Sequence, residues 1–295
     1  MMLPPLLPDA DAPHNIVRGL HGHIVHNRHD TVVGLSARAY GEYFESEVDV
    51  FRGCVRAGMH VADIGANIGT HALALARLVG PTGWVYAFEP QRVVHQLLCA
   101  NMAVNSILNA DCERLAVSDA PGRIGVAELD FTAPGNYGGL ALNSGAGRLV
   151  AAVTLDEYLD GRPLHFLKAD VQGMEAHVVR GARRTLAAHR TILYLEADQP
   201  EETPALLDAL AEAGYRGYWH LPRFFRADNF AGNPENLHAN GWVDRGGEHL
   251  ESIGFAINML AVPRGVAVDG MPPVDGDHPL HRAANRFHPA MPRRG

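Results

Sequence analysis

Apolar and polar positions along the chain follow two periods, and they alternate in a regular order. Residues 15–35 carry short apolar pieces separated by Gly and His, the pattern of a hairpin or a pair of short strands. In residues 37–55 the apolar side chains Tyr40, Phe44, Val48, Phe51 and Val55 recur at near-helical spacing, which predicts one helix. A short apolar run at 59–62 then ends on Asp63 and passes through Gly65 and Gly69 into an Ala- and Leu-rich helical stretch. Further strands are predicted at 84–88, 111–117, 164–169 and 191–195. Helical runs follow to about Asn105, from about Met174 to Ala188, and over 204–213, with a short one at 155–159. Strands at 215–219 and 255–262 close the series.

Strand and helix patterns of this length in alternation imply a parallel sheet covered on both faces by helices. The rhythm breaks at 121–150, where residues 123–129 alternate like a strand and a Gly-rich loop, Pro134-Gly135-Asn136-Tyr137-Gly138-Gly139, follows. Irregular insertions of this kind carry function more often than the elements around them. Three parts follow: an extension over 1–55 with a Pro-rich, disordered start, a main domain over 56–264, and a mobile tail over 265–295.

Length and charge narrow the partners. At 295 residues, 47% apolar and a net charge of −8, the chain can bury a large core and lacks the clustered cations of a nucleic-acid groove. Nucleic acid is therefore not an expected partner. No window reaches the apolar length of a membrane span, and the opening residues have no basic segment of the kind that begins a secretory signal. The three cysteines, Cys54, Cys99 and Cys112, are scattered and odd in number, which suits a reducing, cytoplasmic setting. Histidines 21, 23, 26 and 29 read as a polar strand edge, since alternation puts only His21 and His23 on one face. Lys168 is the only lysine in the sequence.

In open parallel sheets a ligand sits over the C-terminal ends of the strands. Here the first such turn reads Asp63-x-Gly65-x-x-x-Gly69 and lacks the Gly-x-Gly-x-x-Gly of dinucleotide sites. A second acid, Glu89, ends the next strand, where a carboxylate pairs with ribose hydroxyls. Asp63 would repel a pyrophosphate but suits a cofactor whose near end is an ammonium group, as in S-adenosylmethionine. For Gly65 and Gly69 the plainer reading is a tight strand-to-helix turn, and for Asn67 a cap of the next helix.

Taken together, Asp63-Ile-Gly65-Ala-Asn67-Ile-Gly69, Val85-Tyr86-Ala87-Phe88-Glu89-Pro90, Ala116-Val117-Ser118-Asp119 and Leu167-Lys168-Ala169-Asp170-Val171-Gln172-Gly173-Met174-Glu175 resemble the FkbM family of S-adenosylmethionine-dependent methyltransferases. The resemblance runs over about residues 58–198 and implies a Rossmann-like, seven-stranded, mostly parallel sheet. It also implies methylation of an oxygen, often a hydroxyl of a sugar, glycan or secondary metabolite. Ser118 and Asp119 then fall where such a fold places the adenine. One departure stands out: the family pattern has Glu where this chain has Gln172.

Candidate bases stand at strand ends near the reacting centre. Asp170 and Glu196 both qualify, with His220 after a later strand as a third, and Asp170 competes for the role of helix N-cap. Glu175 ranks lower, because an acid in a first helical turn is favoured by the dipole alone. Asp170 and Glu196, with His220, are also a conceivable oxygen-rich site for a divalent cation. Asn136, Tyr137, Trp219 and Asn229, with Phe224 and Phe225, are the expected wall of the acceptor pocket, against a core-packing role for the aromatics. Two rival functions remain open: a cofactor-binding partner without catalysis, and an NAD-linked oxidoreductase.

Overall fold

The computed structural model describes residues 12–139, 147–238, 242–245, 248–251 and 255–274. The expected disordered start falls almost wholly outside them, as does the tail beyond 274. An antiparallel hairpin opens the fold, β1 (His14–Gly19) and β2 (Gly22–Asn27). Two helices follow, α1 (Val33–Tyr40) and α2 (Glu45–Cys54), where the spacing predicts one. The break comes at Gly41 and Phe44, both left-handed, so the apolar stripe turns a corner between them.

The α/β body contains β3 (His60–Ile64), α3 (Thr70–Val79), β4 (Trp84–Phe88), α4 (Arg92–Val104) and β5 (Ala110–Glu113). A small side sheet comprises β6 (Ala116–Val117), β7 (Gly122–Val126) and β8 (Arg148–Val153). Next come α5 (Leu155–Leu159), β9 (Phe166–Ala169), α6 (Glu175–Arg180), α7 (Arg183–His189), β10 (Ile192–Glu196), α8 (Thr203–Glu212) and β11 (Tyr215–His220). β12 (Trp242–Arg245) and β13 (Glu248–Glu251) pair as an antiparallel ribbon, and β14 (Asn258–Pro263) completes the set.

The main sheet has seven strands in the order β11-β14-β10-β9-β3-β4-β5, parallel except for β14. Strand order reverses on either side of β3, so the crevice between the ends of β3 and β9 is the topological switch point where ligands bind in such sheets. Both faces are covered. Ala62, Ile64, Leu167 and Leu195 face a core with α5, α6, α7 and α8, while Val61, Phe166 and Tyr194 face a second core with α2 and α3. Alternation along each strand puts Asp63 and Lys168 on the second face.

Other expectations change on contact with the fold. The strand at 111–117 is two strands in different sheets, because β6 leaves β5 to pair with β8. The helix at 174–188 is interrupted at Gly181, where a Cβ would stand 2.0 Å from the Ser118 carbonyl oxygen, so the chains touch backbone to backbone. The first residues of the tail are anchored along β11: Trp219 N–H donates to Pro272 O at 2.9 Å and Val274 N–H to Gly217 O at 3.0 Å. The extension, too, is part of the main core, since buried Phe51 of α2 packs edge-on against Phe166 and Tyr194, each at 5.2 Å.

Candidate active site

At the end of β3 the chain must bend under the end of β9. A Cβ on Gly65 would lie 1.9 Å from the Asp170 carbonyl oxygen, and Gly65 has φ +72°, so only glycine fits. The glycine is thus required by the chain's own crossing, which brings Asp63 and Asp170 to one place. Gly69 serves as N-cap of α3. Asn67, at φ +52°, turns its side-chain oxygen onto the Ile68 N–H at 2.7 Å.

Asp63 is fully buried, and neither of its carboxylate oxygens has a hydrogen-bond partner. Lys168 Nζ approaches Oδ1 at 3.4 Å, an ion-pair contact, and reaches Asp170 Oδ2 at 3.6 Å and the Gly65 carbonyl at 3.3 Å. Lys168 is not a solvated strand residue: it is 4% exposed and bridges the two acids. Burial opposes its charge, but Asp63, Asp170, Glu47 and Glu196 outweigh that and hold its ammonium above the ordinary range. Asp63 is itself raised by burial, with Lys168 opposing.

Glu89 at the end of β4 is buried and accepts the Asn67 N–H at 3.0 Å and the Gln91 N–H at 2.8 Å, one on each oxygen. It therefore fastens the glycine turn to the start of α4, and burial pushes its carboxyl up to about 7. Asp119 is drawn to His177 at 3.0 Å and to the Ser118 hydroxyl at 3.2 Å.

On the other side of Lys168, Asp170 and Glu196 are joined through Gln172. The Gln172 amide nitrogen donates to Asp170 Oδ1 at 3.0 Å and faces Glu196 Oε1 and Oε2 at 3.2 and 2.9 Å. Asp170 is the accessible member, its side chain 35% exposed. Burial, and then Asp170, push Glu196 well above the ordinary carboxylate range. Glu175 organises the loop by accepting the Val171 and Gly173 N–H groups at 2.8 and 3.1 Å, so both of its oxygens are engaged beside the acid pair. Its two bonds also leave Asp170 free of a capping role, because no side-chain hydrogen bond caps α6.

His220 is held differently from a free base. Asn258 Nδ2 donates to the Tyr194 hydroxyl at 2.9 Å, and that hydroxyl shares a hydrogen bond with His220 Nδ1 at 2.7 Å. That ring nitrogen is thereby engaged within the fold. The same Asn258 amide donates to Glu47 Oε1 at 2.7 Å, and Glu47 Oε2 stands 3.7 Å from His71 Nε2. Among the described residues no group of three or more His, Cys, Asp or Glu is arranged to hold a metal ion.

Three residues expected at the acceptor wall are engaged in packing. Tyr137 is buried against Ile24, Val33, Ile68 and Leu97, with its hydroxyl donating to Ala133 O at 2.5 Å. Trp219 lies in the core with Leu206 and Leu210 of α8. Asn229 spends its amide on Arg226 O and Asn233 O, both at 2.7 Å, and accepts the Asn233 N–H. Each sits where burial or loop closure gains more than solvent contact. Asn136 does stay at the surface beside the turn: its Oδ1 accepts Gly138 N–H at 3.1 Å, and a Cβ on Gly138 would lie 2.2 Å from Asn67 Nδ2. Phe224 and Phe225 close onto the extension, Phe224 against Phe44 at 4.2 Å and Phe225 against Tyr40 at 5.6 Å.

Glu47 and Tyr43 are site residues that pattern reasoning passes over. Glu47 is buried and Tyr43 half-buried beside the acids: desolvation raises Glu47 to about 8, with Lys168 opposing, and lifts Tyr43 above its ordinary range, with Asp170 next in weight. One signal was available. Glu47 stands four residues before Phe51 and four after Tyr43, an acid on the buried stripe of α2.

A seven-stranded sheet with one antiparallel strand and two acids at its switch point defines a nucleotide-type ligand site of the Rossmann-like class. The Methyltransferase FkbM domain model matches residues 63–216, over half of the chain, and the protein belongs to this family of S-adenosylmethionine-dependent methyltransferases. A comparison with curated protein sequences finds no match. Among solved structures, the FkbM methyltransferase of Methylobacillus flagellatus KT is 15% identical, with a TM-score of 0.42 over 73% of this chain and 50% of that one. The chain thus spans half the length of that relative. An S-adenosylmethionine-dependent O-methyltransferase of Thermotoga maritima is 13% identical, with a TM-score of 0.45 over 87% and 80% of the two chains. Fibrillarin of Aeropyrum pernix, crystallised with bound S-adenosylmethionine, is 15% identical, with a TM-score of 0.42 over 85% and 94%. Among the described residues no helix is long and apolar enough to cross a membrane.

Proposed function

We propose that the protein transfers a methyl group from S-adenosylmethionine to a hydroxyl oxygen of a small metabolite or glycan, with Asp170 as the base. The observation that carries this reading is the Asp63 carboxylate, fully buried and short of donors beyond the Lys168 ammonium at 3.4 Å, beside the partly exposed Asp170. A buried acid left short of donors is costly unless a ligand supplies them, and the amino-acid end of the cofactor carries an ammonium group that fits. Bound S-adenosylmethionine supplies an electrophilic methyl group.

The chain's own residues do the rest. Asp63 receives the ligand cation, Lys168 holds the two acids at a fixed separation, and Glu89 keeps the turn in shape through its two N–H bonds while offering its outer lone pairs to ribose hydroxyls. Asp170 takes the acceptor's proton as the oxygen attacks. Ser118 lies at the end of β6, within reach of the adenine side in this reading, with Asp119 beside it. Acid–base assistance of this kind is worth roughly 10²–10⁴ in rate, and alignment supplies much of the remainder. Asn136 and Tyr43 are the polar groups best placed to touch the acceptor. The domain assignment and a cytoplasmic location are part of the same proposal.

Calorimetric titration with S-adenosylmethionine, S-adenosylhomocysteine and NAD tests the reading. Binding of both sulfur compounds and no heat with NAD is expected; tight NAD binding alone would sink it. Screening hydroxylated acceptors against Asp170→Asn and Glu196→Gln then separates a catalyst from a non-catalytic binder.

A further inference from the structure

Asp170 and Glu196 come from different strands, β9 and β10, and the only side chain that hydrogen-bonds to both among the described residues is Gln172. The amide sits at the place a bridging cation would take between two carboxylates. It offers N–H hydrogens there, whereas a metal site needs oxygen lone pairs directed inward. Gln172 is held in the left-handed region at φ +54°, and the Glu175 bonds to Val171 and Gly173 on either side fix the loop that aims it.

We propose that Gln172 is a positioning residue whose amide replaces a bridging cation, clamping Asp170 and Glu196 into a metal-independent acid pair and presenting the Asp170 carboxylate to the acceptor. This rests on the methyltransferase reading for the identity of the acceptor, though not for the geometry of the clamp. Two carboxyls this close cannot both be ionised without a compensating charge. Lys168 supplies that charge, with Nζ 3.6 Å from Asp170 Oδ2 and Glu196 within its electrostatic reach. Burial, and then Asp170, push the Glu196 carboxyl up. The other groups that face the pair are Asp63 on β3, Glu47 on α2, Tyr43 between α1 and α2, Glu175 on α6 and Asp198 after β10. Apart from Lys168 these are acids or a phenol, so an amide donor is worth more to the pair than a further carboxylate.

Manganese(II) titration followed by calorimetry and electron paramagnetic resonance tests the clamp without methyl donor or acceptor, so its outcome is independent of the cofactor titration above. Wild type is expected to take up no ion at this site. Gln172→Glu supplies a third carboxylate on the same backbone and is expected to take up one equivalent, lost again when Asp170→Asn is added. Thermal melts report that each variant is folded. Uptake by wild type that Asp170→Asn abolishes, or no uptake by folded Gln172→Glu, overturns the proposal. A second variant reads the positioning role. In Gln172→Ala the acidic limb of the methyl-transfer pH profile is expected to move up by about one pH unit, with the KM for S-adenosylmethionine unchanged. An unmoved limb also overturns it.

Discussion

The two halves of the crevice are built in opposite ways. The half proposed for the cofactor is local: Asp63, Gly65, Asn67, Gly69 and Glu89 come from two consecutive strand ends and the turns that follow them. The half proposed for the acceptor is assembled from four distant parts of the chain. Asp170 and Gln172 follow β9, Glu196 ends β10, Glu47 and Tyr43 come from the extension, and Asn258 opens β14. The extension also fastens the 224–238 loop, through Phe230 N–H on Glu42 at 2.8 Å and the Tyr40 hydroxyl on Glu235 O at 2.9 Å. A turn that binds one constant cofactor can be written in a short motif. A surface that selects a variable acceptor can draw on segments free to change independently. Lys168, contacting Asp63 and Asp170 together, is the joint between the halves.

The largest test of this division is Asp170→Asn. It should lower kcat by about 10²–10⁴ while leaving S-adenosylhomocysteine affinity within a few-fold, read by steady-state kinetics and calorimetry. Equal losses in both would dissolve the boundary between the halves. Asp63→Asn should do the reverse, weakening S-adenosylhomocysteine binding by about 10–100-fold, the worth of a charged hydrogen bond. Retained affinity there would mean that the ligand's cation lies elsewhere.

A third test uses pH. Burial raises Glu47 to about 8 and Glu89 and Glu175 each to about 7. With folded values above the unfolded value, the folded state holds protons that the unfolded state releases. Their stabilising contribution is therefore complete below the unfolded value near 4.5 and is lost as pH rises through 7 to 8. Urea melts of the ligand-free protein should show stability falling from about pH 5 to pH 8.5 by on the order of a few kcal/mol. Glu47→Gln and Glu89→Gln should each flatten part of that slope, one from each half; a slope untouched by either would place its origin outside the site. The smallest effect is expected for Tyr137→Phe, which removes one buried hydroxyl bond and should cost about 1 kcal/mol in melts with acceptor KM unchanged. A shift in acceptor KM would return Tyr137 to the binding wall.

The sequence alone determined the β–α order, the positions of the strand ends and the identity of the turn around Asp63. These follow from period-2 and period-3.6 patterns and from glycine punctuation, all of which act within a few residues. It also carried the family through motifs that are local in the same sense. It misread 37–55 as one helix, because the break depends on how Gly41 and Phe44 pack against other parts of the chain, and it ran β5 and β6 together because pairing partners are chosen across the fold. The tertiary structure alone decided that Lys168 is buried between two acids and that Tyr137 and Trp219 are core. It alone decided that Gln172 joins Asp170 to Glu196. Those outcomes depend on which distant groups share a desolvated space, where the cost of an unpaired charge outweighs any local preference.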